Sequence, residues 1–340
     1  MTIAVNTADG PCTTGFEDLY LLNNSIPELD IDEIDLSMTF LGRQISYPII
    51  INAITGGTDR ALHFNKCLAS LAARYNLPIA AGSANITIKE PESKASFEII
   101  RQMNPQGLIF ANIGAGETAD KALKVIKLMN ADALQLHFNV PQELAMREGE
   151  RNFKNVLANV AEIVSGCPVP VIAKEVGFGF TRETVEKLYH CGVRIFDNSG
   201  KGGTNFIIIE NHRAGRLDNE FENWGIPTAW SLAEIAALKL PITIIASGGI
   251  RTALEAVKAL TMGANMVGIA APFLKKYVNE GEESVELYLN SFIYRLKAAM
   301  LMTGAKNIKE LTSKPLIIMN RTAEWLKARE IDPLIWAKRS

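Results

Sequence analysis

Short apolar runs rich in Val and Ile recur along the chain, and amphipathic segments separate most of them. The runs occupy residues 48–53, 78–82, 108–113, 133–139, 169–176, 193–199, 242–249 and 266–270. Segments such as 60–76 and 118–130 repeat apolar residues every three or four positions, which predicts helices. Eight strand–helix repeats predict an α/β fold in which a parallel sheet closes into a (β/α)8 TIM barrel. An open, doubly wound sheet is the alternative.

The chain has 340 residues, which is more than the roughly 250 of a typical barrel. We therefore expect an N-terminal extension over residues 1–47, the barrel over 48–310 and a C-terminal extension with helices over 311–340.

Composition narrows the possible partners. Lys and Arg total 35 against 37 Asp and Glu, a net charge of −2, so nothing favours a nucleic acid or an anionic membrane surface. No apolar segment reaches the length of a membrane span, and the N-terminus lacks the pattern of a secretion signal. The four cysteines are too widely spaced for a zinc motif. We expect a cytoplasmic protein with a small-molecule substrate.

Glycine-rich turns follow the last strands, and barrels place their chemistry at this end of each strand. In "SGGIR", the N–H groups of Gly248 and Gly249 and the side chain of Arg251 could hold a phosphate. "SGKGGTN" adds the hydroxyls of Ser199 and Thr204. The sequence therefore predicts a phosphate site; a plain tight turn is the alternative.

Lys174 lies within the apolar run "VIAKEV", where a lysine needs an anion or an electron-rich partner. A cation against the pyrimidine edge of a flavin would stabilise the reduced ring. A salt bridge with Glu175 and a Schiff-base role remain open as alternatives.

The fourth run ends in polar residues, "HFNVPQE". His137 and Asn139 are two positions apart, so strand alternation directs both into the barrel mouth. Glu143, beside Gln142, could bind Mg²⁺ together with substrate phosphates. The alternative for Glu143 is a solvated helix cap.

The segments "INAITGG", "ANIGA", "LQLHFNVPQELAMREGERNF", "PVPVIAKEVGFG", "GKGGTNFIIIENHR", "WGIPTA" and "ASGGIRTALEAVKALTMGANMVGIAAPFL" resemble, in order and spacing, the type 2 isopentenyl-diphosphate delta-isomerases. The resemblance implies bound FMN, used in reduced form with NADPH as initial reductant, and Mg²⁺ bound to a substrate diphosphate. It implies interconversion of isopentenyl and dimethylallyl diphosphate by a homo-oligomer, expected to be a tetramer.

By matched position, the resemblance assigns a role to residues on every strand end. Gln142 and His137 would be catalytic, Gln142, His137 and Asn139 would contact substrate, and Glu143 would bind the metal. The FMN-binding residues would be Ala53, Ile54, Thr55, Ser83, Asn112, Lys174, Ser199, Thr204, Gly248, Gly249, Arg251, Ala270 and Ala271.

The basic residues that grip the diphosphate in this family are missing. No Lys or Arg precedes Arg43, and Gly82 and Ser83 are followed by Ala84 and Asn85 rather than by an arginine. An alternative is therefore an FMN-barrel reductase or isomerase with a less anionic substrate, unless Lys89 or Lys94 replaces the missing cations. A barrel that only binds flavin or phosphate is a third hypothesis.

Overall fold

The computed structural model describes Val5, residues 9–213 and residues 219–339. Eight parallel strands form a closed barrel, with one strand in each of the eight predicted runs. In chain order they are β1 (Ile49–Ile51), β2 (Ile79–Ala80), β3 (Ile109–Gly114), β4 (Ala133–Phe138), β5 (Val171–Glu175), β6 (Ile195–Asp197), β7 (Thr243–Ser247) and β8 (Met266–Ile269). β8 pairs with β1, which closes the ring and excludes the open sheet. The TIM-barrel prediction is confirmed.

Helices surround the barrel and follow its strands. They are Asp59–Tyr75, Ile86–Lys89, Ala95–Met103, Ala119–Met129, Val140–Ala145, Val156–Gly166, Arg182–His190, Phe206–His212, Thr228–Ala237, Ala253–Met262, Ala271–Glu280, Glu282–Thr303, Ile308–Ser313, Asn320–Ala328 and Leu334–Ala337. Threonine hydroxyls cap the first turns of four of them; these residues are Thr58, Thr118, Thr181 and Thr252. Each cap satisfies a backbone N–H that has no partner within the helix.

The barrel interior has an apolar layer near the amino ends of the strands and a polar layer beyond it. The apolar layer contains Ile50, Ala80, Phe110, Ala133, Ile172, Ile195, Ile245 and Met266. Two positions later on six of these strands stand buried polar residues, namely Asn52, Asn112, Gln135, Lys174, Asp197 and Ser247. Because strand side chains alternate faces, the second set points inward above the first.

Segments outside the barrel cover its amino end and its flank. Strands Met38–Phe40 and Arg43–Ile45 form a hairpin whose Phe40 and Ile45 pack into the apolar layer. Strand Leu19–Leu21 pairs with Leu316–Ile318, so both extensions dock together. The proposed boundaries at 47 and 310 stay a prediction; helix Ile308–Ser313 spans the second one. None of the described helices has both the length and the apolar character needed to span a bilayer.

Candidate active site at the carboxyl end of the barrel

Lys174 is buried and pairs with Asp197, its register partner on β6. The ammonium Nζ lies 3.1 Å from Asp197 Oδ2, and the Asp197 side chain is fully buried. The alternative partner, Glu175, is not used. Its carboxylate instead accepts hydrogen bonds from the backbone N–H groups of Phe178 and Gly179 at 2.5 and 2.9 Å. Burial raises the pKa of Glu175 to about 8.

Asp197 is also the start of a hydrogen-bonded relay across the barrel, which we call the interior relay and define as Asp197, Asn52, Gln135 and Asn112. Asn52 donates to Asp197 at 2.7 Å, Gln135 donates to Asn52 at 3.1 Å, and Asn112 donates to Gln135 at 3.0 Å. Ser247 donates its hydroxyl to the other oxygen of Asp197. A Cβ at Gly268 would lie 2.4 Å from the Asn52 amide nitrogen, so a side chain there would displace this amide.

The relay ends at His137. Its Nδ1 lies 2.7 Å from Asn112 Oδ1, and the imidazole is partly exposed. Burial, and secondarily the charge of Lys174, lowers the pKa of His137 to about 4. The ring is therefore neutral at physiological pH.

The residues after β4 form a second group, which we call the rim cluster and define as Asn139, Gln142, Glu143 and Glu210. Asn139 donates to Gln142 at 3.3 Å and to Glu143 at 3.0 Å. Gln142 donates to Glu210 at 3.1 Å. β4 ends at Phe138, and Asn139 stands at the N-cap position of the next helix, so strand alternation does not govern Asn139 as the sequence pattern suggested. Asn139 contacts the helix residues, whereas His137 contacts the interior relay.

Hydrogen bonds to both of its oxygens hold the Glu143 carboxylate in place. Its Oε2 accepts a hydrogen bond from the backbone N–H of Glu150 at 2.8 Å. Within the described ranges, no group of three or more His, Cys, Asp or Glu side chains could hold a metal ion. A metal at Glu143 would therefore depend on the substrate and water for its other ligands.

The turn after β7 fits tightly against the turn after β6. Gly248 and Gly249 have φ values of +93° and +79°, and a Cβ at Gly249 would lie 2.5 Å from the carbonyl oxygen of Gly202. Their N–H groups donate to no acceptor in the described part of the chain. Arg251 lies beside the turn, but Asp9 of the N-terminal segment binds its guanidinium, with Nε–Oδ2 and Nη2–Oδ1 distances of 3.0 and 2.7 Å.

The remaining predicted FMN residues lie at the same end of the barrel. They follow β1, β2, β6 and β8 and are Ala53, Ile54, Thr55, Ser83, Ser199, Thr204, Ala270 and Ala271. The first two loops touch, because Gly82 donates its N–H to the carbonyl of Thr55 at 3.3 Å. Lys89 and Lys94, the suggested replacement cations, are exposed in the segment after β2.

Sequence reasoning missed Glu210 and most of the interior relay. Glu210 is buried on helix Phe206–His212, and Arg213 binds its second oxygen at 2.9 Å. The sequence signal for Glu210 was a single carboxylate at the end of the apolar run "FIIIE". For Asn52, Gln135 and Asp197, the signal was polar residues at inward positions of apolar strands.

Two known proteins are similar in sequence to nearly the whole of this chain. An isopentenyl-diphosphate delta-isomerase from Symbiobacterium thermophilum is 43% identical over 336 residues, which cover 98% of this chain and 92% of that protein. The protein of that name from Moorella thermoacetica is 43% identical over 95% of this chain and 93% of its own length. The chain belongs to the isopentenyl-diphosphate delta-isomerase family. The family resemblance predicted from the motifs is confirmed, and with it the assignment as an isomerase.

More distant comparisons agree with the fold of this isomerase-family chain. The sequence model of the FMN-dependent dehydrogenase family matches residues 155–318. A lactate oxidase from Pediococcus acidilactici superimposes with a TM-score of 0.71 at 16% identity, covering 93% of this chain and 90% of that one. A mandelate oxidase superimposes with a TM-score of 0.66 at 17% identity, covering 92% and 93%. At these identities the two structures support the barrel fold alone.

Proposed function

We propose that this chain interconverts isopentenyl diphosphate and dimethylallyl diphosphate, using reduced FMN and Mg²⁺, with NADPH as initial reductant. The observation that carries the proposal is the rim cluster: an amide, a second amide and two carboxylates joined by hydrogen bonds at the end of β4. β5, which pairs with β4, supplies the interior cation Lys174. The relatives named above support the choice of substrate.

The residues present fit FMN. The N–H groups of Gly248 and Gly249, which have no acceptor among the described residues, would bind its phosphate, with Arg251 as the added cation. Lys174 would face the pyrimidine edge, and the other predicted FMN residues would line the ring and ribityl chain. When bound in reduced form, FMN supplies proton-transfer chemistry beside the substrate double bond.

The residues of the rim cluster would bind and orient the substrate. Glu143 would hold Mg²⁺, since one carboxylate with substrate phosphate oxygens and water is a common way to bind this ion. Gln142, whose orientation Glu210 fixes, would lie near the reacting carbons. Asn139 would contact the diphosphate, and the neutral His137 would line the pocket around the substrate.

A second candidate is an FMN-barrel reductase or isomerase that takes a less anionic substrate. The observation that favours it is the acidic N-terminal segment, in which no Lys or Arg precedes Arg43. Asp9 of this segment also binds the guanidinium of Arg251. Lys89 and Lys94, the possible replacement cations for diphosphate binding by the first candidate, are exposed, and among the described residues neither forms a salt bridge.

The test is anaerobic incubation of the purified full chain with FMN, NADPH, Mg²⁺ and isopentenyl diphosphate, with dimethylallyl diphosphate as the measured product. Glu143→Gln should lower the rate by more than the roughly 10–100-fold that loss of an outer-shell metal partner costs. Glu162→Gln, the same change on an exposed helix position, is the control and should leave the rate unchanged. Flavin binding without product would refute the isomerase and favour the second candidate.

We also propose that the protein is a cytoplasmic homo-oligomer, expected to be a tetramer from the family resemblance. Light scattering on the purified protein measures its mass directly; a monomer of 37.2 kDa would contradict this.

A further inference from the structure

The direction of every hydrogen bond in the interior relay is set by its first member. Asp197 is fully buried and touches the ammonium of Lys174, so its carboxylate is an acceptor. Asn52 must therefore direct its Nδ2 group toward Asp197. Its Oδ1 then accepts the backbone N–H of Ala53 at 2.9 Å, a donor whose identity is not in question. Two independent contacts thus fix the orientation of the Asn52 amide.

This orientation passes along the relay. Because Asn52 Oδ1 is an acceptor, Gln135 must turn its Nε2 toward Asn52 and its Oε1 toward Asn112. Asn112 must then donate through Nδ2 to Gln135, which leaves Oδ1 facing the imidazole of His137. All four members of the relay are buried, so water does not compete for these groups.

The last bond determines the chemistry of His137. An oxygen acceptor 2.7 Å from Nδ1 requires that Nδ1 carry the proton. Since the ring is neutral, Nε2 then has a free lone pair. Nε2 is the ring atom nearest to Gly114, where a Cβ would be 3.5 Å away.

We propose that Asn112 and Gln135, anchored through Asn52 to Asp197, are positioning residues that hold His137 as the neutral Nδ1–H tautomer and present Nε2 as a hydrogen-bond acceptor at the active-site mouth. The contact of His137 with substrate rests on the proposed function; the tautomer does not. The relay also gives Asp197 two roles, as counter-ion of Lys174 and as anchor of His137.

Nitrogen NMR of the purified full chain, labelled with ¹⁵N-histidine and supplied with FMN, measures the tautomer without any substrate. The chain has four histidines, and His137→Gln assigns the signal. We expect a protonated Nδ1 and an unprotonated Nε2 at pH 7. A wild-type His137 protonated at Nε2 would overturn the proposal, whatever the outcome of the activity assay.

Two variants test the relay itself. Gln135→Leu removes the partner that orients Asn112, and we expect the ratio of the two tautomers to fall by about fivefold, the equivalent of one typical net hydrogen bond. The control is Asn65→Leu, which removes another buried amide, one that donates to Ser96 O at 2.7 Å outside the relay; it should not change the ratio. An unchanged ratio in folded Gln135→Leu would refute the relay.

Asn112→Asp retains an oxygen acceptor opposite His137 Nδ1. This variant tests the tautomer if Gln135→Leu does not fold. The new carboxylate can only accept, so the Nδ1–H tautomer should persist, and His137 should titrate at a higher pH because the imidazolium gains a counter-charge. Protonation at Nε2 in Asn112→Asp would contradict the proposal.

Discussion

Asp9→Asn should strengthen FMN binding. In the structure, Asp9 binds Arg251 through two hydrogen bonds, at 3.0 and 2.7 Å, and Arg251 is the predicted cation for the flavin phosphate. Lys275 lies 4.0 Å from the same carboxylate. If Arg251 binds the flavin phosphate as proposed, the Asp9 carboxylate and the phosphate compete for one guanidinium, and the Asp9–Arg251 pair must loosen when the cofactor binds.

The size of the effect follows from the exposure of the pair. The Arg251 and Asp9 side chains are 28% and 35% exposed, so solvent screens the pair and its net contribution is about 0.2–1 kcal/mol. Removing this competitor should lower the FMN dissociation constant by about 1.4- to 5-fold. The difference should shrink as salt is raised, because the competing interaction is a partly exposed ion pair.

Quenching of flavin fluorescence on titration of flavin-free protein measures this constant. Asp32→Asn removes the same charge from an exposed position in the 3-10 helix Ile31–Glu33 and is the control. Equal affinities for Asp9→Asn, Asp32→Asn and wild type would refute competition. Weaker binding by Asp9→Asn would mean that Asp9 orients Arg251 for the cofactor instead of occupying it.

Two further predictions concern stability, each measured by urea unfolding. The pKa of His137 is 6.5 in the unfolded chain and about 4 in the folded protein. Between these pH values the imidazole binds a proton in the unfolded chain but not in the folded protein. Stability should therefore fall as pH drops from 6.5 to 4, by at most about 1.4 kcal/mol per pH unit, and His137→Gln should remove that slope; parallel curves would contradict this. Asp18 accepts hydrogen bonds from the N–H and hydroxyl of Thr322 at 3.0 and 2.9 Å. Asp18→Ala should cost about 1–3 kcal/mol by leaving the buried N–H of Thr322 without an acceptor, whereas Asp32→Ala should cost little.

The barrel was predictable because each of its strands carries its own signal. Runs such as "PIIINA" and "LIFANI" are apolar on both faces, as strands must be when side chains on one face fill the barrel and those on the other meet the helices. The turn and cap signals between them are local too. Thr118 and Asn130, for example, begin and end helix Ala119–Met129 with contacts that lie within a few residues.

The rim cluster was predictable only in part, for a reason of chain geometry. Asn139, Gln142 and Glu143 are close in sequence, so their proximity follows from one helical turn. Glu210 joins them from a helix 67 positions after Glu143, and Asp9 reaches Arg251 across 242 positions. No periodicity relates such distant residues, and both contacts depend on how loops return over the barrel mouth.

The interior relay shows what strand periodicity fixes and what it leaves open. Alternation determines that Asn112, Gln135, Lys174 and Asp197 point inward, because each follows an interior apolar residue by two positions. It does not determine which of them meet, since sliding one strand by two residues keeps every side chain on the same face and changes every partner. In the barrel, Asn112 lies opposite Gln135 and Lys174 lies opposite Asp197.

A slide of two residues between β5 and β6 would leave Lys174 without its carboxylate. Burying that cation unpaired is costly, so the Lys174–Asp197 pair itself favours the observed register, and with it the stagger that sets the barrel's tilt.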